Sequence, residues 1–241
     1  MRPSDALPTL SSLPHKDQKE GDMTVPTLYR FAAVMLVVSA TTITVGRLLH
    51  PAVDHTGLTS DVWAPAHWLW LAGLLTGMVG VIGLYLRQRE RIGVPGFIGA
   101  ASAWTGMGMM SGAIYFEAVV QPGLVGHAPQ LVDSFVAYEG MGAFLPVFLA
   151  SVVLFGLGFL VFGITMIRAG IMPSWAAGLL IIGSVIGGPQ GLLPPVVAYG
   201  AMFALGIGLV GLAYGLWTSV PEADDESIPA KHRSPAPDTA Q

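Results

Sequence analysis

The connection from Arg47 to Trp68 concentrates groups that can bind metals or exchange protons. It joins two long apolar runs and holds half of the histidines in the chain. Its ionisable side chains are His50, Asp54, His55, Asp61 and His67. Imidazole and carboxylate groups are common ligands of zinc, and imidazole also takes up a proton near neutral pH. The segment therefore predicts either a metal site, with His50, His55 and His67 as ligands, or a site for a proton-linked ligand.

Further ionisable residues lie near the ends of the later apolar runs. His67 stands just inside its run, where an imidazole needs a hydrogen-bonding partner. A carboxylate near a membrane boundary is costly unless it is paired or reaches water, which makes Glu117 and Glu139 the next candidates. With Arg47 close in sequence, the predicted ligand-binding set is His67, Glu117, Glu139 and Arg47.

Other interpretations of the same residues stay open. HExxH and similar fixed metal-ligand spacings do not occur. The same side chains therefore also fit solvent-exposed loops bordered by an interfacial aromatic belt of Trp63, Trp68 and Trp70. A b-type haem between His50 and His67 would have to sit near the membrane surface. Nucleotide-binding and hydrolase motifs are missing as well, so an enzyme is less favoured than a binding protein.

Composition indicates the kind of protein that holds these residues. The chain is 53% hydrophobic and 11% charged, whereas soluble domains carry about 25% charged residues. This composition is typical of an integral membrane protein, whose first partner is the lipid bilayer. The absence of cysteine excludes disulfides and thiolate metal sites, and the absence of a basic stripe excludes nucleic acid as a partner.

An all-α bundle of six transmembrane helices is predicted, because a helical span needs about 20 mostly apolar residues. Its predicted spans are Leu28–Leu49, Ala66–Leu86, Val94–Val120, Gly142–Ile167, Met172–Gly188 and Pro195–Trp217. A Gly/Pro-rich break precedes the last span, so five spans are the alternative. The bundle is expected over residues 27–218, between polar tails at 1–26 and 219–241 that are predicted to be disordered. Met1 and Met23 both fit a translation start.

The distribution of arginine predicts the orientation of these spans. Arg87, Arg89 and Arg91 lie in one predicted connection and Arg168 lies in another. Because cytoplasmic loops are enriched in Lys and Arg, both termini are predicted to be cytoplasmic and the histidine-rich connection to be outside. No charged residue is predicted at mid-depth, which argues against proton-driven transport. A small permease or channel lined by hydroxyl groups stays open.

Two segments resemble a known class of protein. The stretches APAHWLWLAGLLTGMVGVIGLYLRQ and GITMIRAGIMPSWAAGLLIIGSVIGG are similar to those of uncharacterised bacterial polytopic membrane proteins. The resemblance implies a location in the bacterial inner membrane and no particular activity. The sequence thus predicts a multi-pass protein that binds a small ligand, lipid or metal at its outward face. A membrane oxidoreductase with shallow haem or quinone is an alternative, and a homo-oligomer or another membrane protein is compatible as a partner.

Overall fold

The computed structural model describes residues 24–137, 139–188 and 193–219. All regular secondary structure in this part of the chain is helical, so the prediction of an all-α protein is confirmed. Most of both predicted tails, residues 1–23 and 220–241, lies outside the described residues. So does the middle of the Gly/Pro-rich break, at 189–192.

The helices differ greatly in length. Their bounds are α1 Val25–Leu49, α2 His55–Leu58, α3 Trp63–Tyr115, α4 Gln121–His127, α5 Val132–Ala137, α6 Phe144–Ala169, α7 Ser174–Gly187 and α8 Pro195–Thr218. A π-helical turn, Phe116–Val120, links α3 to α4, and a 3-10 turn, Pro129–Leu131, precedes α5. Four helical stretches among the described residues are long and apolar enough to cross a membrane: α1, the stretch Trp63–His127, α6 and α8.

Helix α3 reverses its direction at Gly93. That residue has φ 57° and ψ −160°, which lie outside the helical region and are accessible mainly to glycine. A straight helix would separate Trp63 from Glu117 by about 80 Å, at 1.5 Å per residue. Instead, Nε1 of Trp63 donates to the backbone oxygen of Glu117 at 3.0 Å. Helix α3 is therefore a hairpin with a first arm before Gly93 and a second arm after it.

The long helical segments pack as a closed ring. The first arm of α3 packs on α1, the second arm on α6, α6 on α7, α7 on α8, and α8 returns to α1. Glycines allow these helices to approach closely. A Cβ atom at Gly106 would overlap the backbone of Phe155 in α6, and one at Gly183 would overlap that of Leu205 in α8. One continuous hydrophobic core runs through the ring.

The two ends of the ring differ in their residues. The end that carries His50 and His67, called the histidine end, is covered by the short helices α2, α4 and α5, which together we call the cap. The cap has a small core of its own, formed by Leu58, Trp63, Val125, Val132 and Phe135. The opposite end, called the arginine end, carries Arg87, Arg89, Arg91 and Arg168.

The observed helix limits differ from the predicted spans in two places. The segment Arg87–Arg91 is helical and does not form a connection, because the chain needs only Gly93 to turn. The fifth predicted span shortens to Ser174–Gly187. This helix of 14 residues is shorter than a candidate membrane span. Helix α1 begins at Val25, where the Thr24 side chain accepts a hydrogen bond from the amide of Thr27.

Candidate functional site

The histidine end contains a buried pair of ionisable side chains. His67 is 1% exposed, and its Nε2 lies 3.2 Å from Oε2 of Glu117, which is 12% exposed. Because α3 is a hairpin, its two arms bring these residues together even though 50 positions separate them in sequence. Among the described residues, this is the one buried contact between an imidazole and a carboxylate.

The π-helical turn supplies Glu117. In such a turn each backbone bond reaches one residue further than in an α-helix, which displaces side chains relative to regular helix geometry. The carbonyl of Glu117 accepts from the indole of Trp63, while its carboxylate faces His67. Turns of this kind occur frequently at functional sites.

The hydrogen bonds of His67 determine where a proton must be. Its Nδ1 lies 2.7 Å from the carbonyl oxygen of Trp63, which can only accept, so Nδ1 carries a hydrogen. If His67 were neutral and Glu117 ionised, Nε2 and Oε2 would both be acceptors, and their contact would be repulsive. An attractive contact at 3.2 Å therefore requires one further proton, on either His67 or Glu117.

His50 completes the cluster from the end of α1. The centre of its ring lies 4.8 Å from that of His67 and 5.1 Å from that of Trp70. Burial, together with smaller electrostatic contributions from His67 and Arg47, lowers the pKa of His50 to about 4. His50 is therefore neutral at neutral pH, and its Nδ1 donates to the carbonyl oxygen of Pro51 at 2.6 Å.

Aromatic and amide groups enclose the pair. The ring centres of Trp63 and His67 are 4.5 Å apart, and those of His67 and Trp70 are 5.9 Å apart in an edge-to-face arrangement. The indole of Trp63 also donates to Oε1 of Gln121 at 3.2 Å. These contacts fix the site from the first arm of α3 and from α4.

A cavity of about 10 Å³ adjoins Glu117 beneath the cap. Trp63, Glu117 and Gln121 supply its polar wall, and apolar side chains such as Phe135 and Met141 close it. This volume is about that of one water molecule. The site as it stands can thus admit a proton carrier the size of water, and a larger ligand would require the cap to move.

The structure brings together part of the predicted ligand-binding set. His67 and Glu117 are in contact, and Arg47 lies at the same end, where it is one cause of the lowered pKa of His50. Glu139 is exposed in the loop before α6, and its backbone amide bonds the carbonyl of Ser134. No side-chain contact links Glu139 to the pair within the described ranges.

The predicted metal ligands do not form one group. His55 is exposed at the start of α2, where Asp54 caps the helix by accepting from the amide of Gly57 at 2.8 Å. The short helix α2 therefore holds His55 apart from His50 and His67. Within residues 24–137, 139–188 and 193–219, no three His, Asp or Glu side chains are arranged to hold a metal ion.

A haem between His50 and His67 does not fit this geometry. The two imidazole rings contact each other directly, which leaves no gap for a porphyrin. The Nε2 atom of His67 is also engaged by Glu117. The cluster is therefore an imidazole–carboxylate site and lacks the open axial positions that a haem iron needs.

Sequence reasoning missed three residues of this site. One interpretation of the sequence places Trp63 and Trp70 in an interfacial belt, but both are buried around His67, and only Trp68 of the three is exposed. Gln121 had no assigned role and is 5% exposed against Trp63. The spacing of Trp63, His67 and Trp70 at four and three residues places them on one helical face, which is a signal that could have identified them.

Several hydroxyl groups of the predicted spans are bonded to helix backbone. Ser39 donates to the carbonyl of Gly73 across the contact between α1 and α3 at 2.7 Å. Thr76 and Ser111 bond carbonyls of their own helix. These bonds satisfy the hydroxyl groups with carbonyls of their own or a neighbouring helix.

Comparison with known proteins adds no relative, since no family model, no curated protein and no solved structure matches the chain.

Proposed function

We propose that this chain is a multi-pass protein of the bacterial inner membrane with a proton-binding sensor site at its outward face. In this proposal the site binds one proton between His67 and Glu117 and couples it to a small polar ligand admitted beneath the cap. The buried contact between Nε2 of His67 and Oε2 of Glu117 carries the proposal. The hydrogen on Nδ1 of His67 is directed to the carbonyl of Trp63, so an attractive contact at Nε2 needs a second proton on His67 or a proton on Glu117.

Six crossings with both termini in the cytoplasm are part of the proposal. Helix pairing supports them, since α1 and α8 lie side by side in opposite directions. Arg47, at the end of α1, lies over Tyr199 near the start of α8, and Arg30, near the start of α1, lies over Trp217. Because α8 starts at the histidine end and α6 ends at the arginine end, α7 must return the chain between them. The excess of arginine at the arginine end supports a cytoplasmic position for it.

A pH titration of stability tests the proton site. The protein is purified in lipid nanodiscs, and its thermal unfolding temperature is measured from acid to alkaline pH. Loss of the shared proton at high pH leaves two acceptors 3.2 Å apart in a buried position, so the wild type is expected to lose stability on the alkaline side. The Glu117→Gln variant is expected to lose this alkaline decline, because its amide can donate to neutral His67 without an added proton.

Glu139→Gln is the matched control for this experiment. It removes the same charge from an exposed loop position, so its profile should follow that of the wild type. An infrared spectrum locates the proton by comparing the carboxyl stretching region of the wild type with that of Glu117→Gln. The proposal fails if Glu117→Gln and Glu139→Gln have the same alkaline profile as the wild type.

A visible spectrum and a metal analysis test the alternative functions. We expect colourless protein without stoichiometric metal, because the histidines are packed against each other and against tryptophan. A Soret band that disappears in a His50→Gln variant would replace this proposal with the oxidoreductase alternative. Thermal stabilisation by a short-chain quinone that Glu117→Gln abolishes would keep the site and assign it to quinone chemistry.

A further inference from the structure

Arg47 carries a charge that the described part of the chain does not neutralise. Its guanidinium carbon lies 4.7 Å from the ring centre of Tyr199 in α8. Its Nε atom is buried and has no hydrogen-bond acceptor among the described residues. The only ion pairs there involve other side chains, namely His67 with Glu117 and Arg89 with Glu90.

A buried, unpaired donor of this kind needs an acceptor from elsewhere. Arginine stays protonated at all relevant pH values and presents its N–H groups in a planar fork. Leaving such a donor without an acceptor is unfavourable, and more so when the donor is charged. The nearby acids do not meet the need, since Asp54 is exposed and bonds the amide of Gly57, and Asp61 is exposed.

The surroundings of Arg47 indicate the chemistry of the missing acceptor. Exposed aliphatic side chains flank it on both helices, namely Leu48, Leu49, Val196 and Val197. Tyr199 lies in the second turn of α8, near the positive end of that helix's dipole. An anionic group that sits above apolar chains fits both features. A planar guanidinium fork matches the paired oxygens of phosphate.

A second arginine, Arg30, lies on the same contact between α1 and α8 and helps to estimate the depth of Arg47 in a bilayer. Arg30 lies at the other end of α1, with its guanidinium carbon 5.6 Å from the ring centre of Trp217 in α8. At 1.5 Å per residue, Arg30 and Arg47 are about 25 Å apart along the helix. The hydrocarbon core of a bilayer is about 30 Å thick, and long side chains reach outward from their Cα atoms. With α1 crossing the bilayer, as proposed above, both guanidinium groups would lie at the depth of lipid headgroups.

From these observations we propose that Arg47 and Tyr199 form a binding site for a phosphate group, supplied by a phospholipid whose acyl chains lie along α1 and α8. The site is separate from the proton site of His67 and Glu117 and does not depend on its function. Arg30 differs because it is exposed and so remains hydrated without a bound anion.

Native mass spectrometry of the full chain tests this site. The protein is released from detergent micelles that contain phosphatidylglycerol, and the fraction carrying lipid is measured. The Arg47→Gln variant should carry severalfold less lipid than the wild type, whereas the matched Arg30→Gln variant should match the wild type. A diacylglycerol without phosphate should not be retained by any variant.

Further measurements distinguish lipid phosphate from free phosphate, and a second variant covers the case in which Arg47→Gln does not fold. If inorganic phosphate raises the unfolding temperature of delipidated wild type but not of Arg47→Gln, and lipid occupancy is equal in both, the site binds free phosphate and the lipid assignment is overturned. If Arg47→Gln does not fold, Tyr199→Leu removes the ring beneath the guanidinium and should lower lipid occupancy instead. Equal lipid occupancy in the wild type and the folded variants, with no effect of phosphate, overturns the whole proposal.

Discussion

At the scale of single residues, the histidine end gives two separate expectations for the pH dependence of stability. The alkaline side tests the proposed proton between His67 and Glu117. His50 affects the acid side, because its folded pKa of about 4 lies below the usual value of 6.5. Between these two pH values the unfolded chain binds more protons than the folded chain, so stability falls as pH decreases from 6.5 to 4.

Replacing His50 isolates the acid side. A His50→Gln variant should lose part of the stability decline between pH 6.5 and pH 4, because glutamine does not titrate. The effect is at most about 3 kcal/mol, at 1.36 kcal/mol per pKa unit. Thermal unfolding at several pH values measures it, and His55→Gln is the control, because His55 is exposed. An unchanged acid decline in His50→Gln would show that other groups cause it.

Trp63 should contribute to stability through its indole N–H. A Trp63→Phe variant keeps an aromatic ring against His67 but leaves Gln121 and the carbonyl of Glu117 without a donor. We expect a loss on the order of 1 kcal/mol. Trp68→Phe is the matched control, because Trp68 is 49% exposed. Equal unfolding temperatures for the two variants would contradict this role.

The sequence predicted which kinds of side chain form the site better than it predicted which residues contact each other there. A histidine just inside an apolar run and a carboxylate at a membrane boundary each demand a partner, which identified His67 and Glu117. Nothing local showed that they are each other's partner, because that depends on the hairpin of α3. Glu139 was predicted by the same argument as Glu117, yet it lies in an exposed loop where its carboxylate can be hydrated.

At the scale of helices, close glycine contacts hold the ring together. Gly106 in the second arm of α3 meets the backbone of Phe155 in α6 so closely that a side chain would push the helices apart. We therefore expect Gly106→Ala to lower the unfolding temperature. Gly112→Ala is the control on the same arm, because nothing lies within 4 Å of its Cβ position and alanine favours helix by about 1 kcal/mol. Stabilisation by both changes would mean that the contact between α3 and α6 can adjust.

Helix positions were more predictable than helix ends. Apolar length alone located α1, α6 and α8 to within a few residues. The arginines from Arg87 to Arg91 were assigned to a connection because of their charge, but local polarity does not end a helix. The change of direction depends on a single residue, Gly93, and a lone glycine in a glycine-rich chain has no distinctive local signal.

At the scale of the whole molecule, orientation in the membrane is open to a direct test. The chain contains no cysteine, so any introduced cysteine is the only thiol. In intact cells, a membrane-impermeant maleimide should label Asp61→Cys at the histidine end and leave Arg89→Cys unlabelled until the cells are permeabilised. Both positions are exposed in the structure, which makes them a matched pair. The reverse labelling pattern would overturn the proposed orientation.

Because α1 packs on α8, the first and last helices of the described chain are neighbours in the ring. The same ring could therefore be built from a chain that starts at a different helix. Since the ring closes where the described chain starts and ends, with Arg30 beside Trp217, a short linker could join Thr24 to Ser219. New termini could then be opened at the turn around Gly170, which lies at the same end of the ring. Such a circular permutant should insert, fold and keep its proton site, and its pH profile of stability would show whether the ring alone specifies the structure.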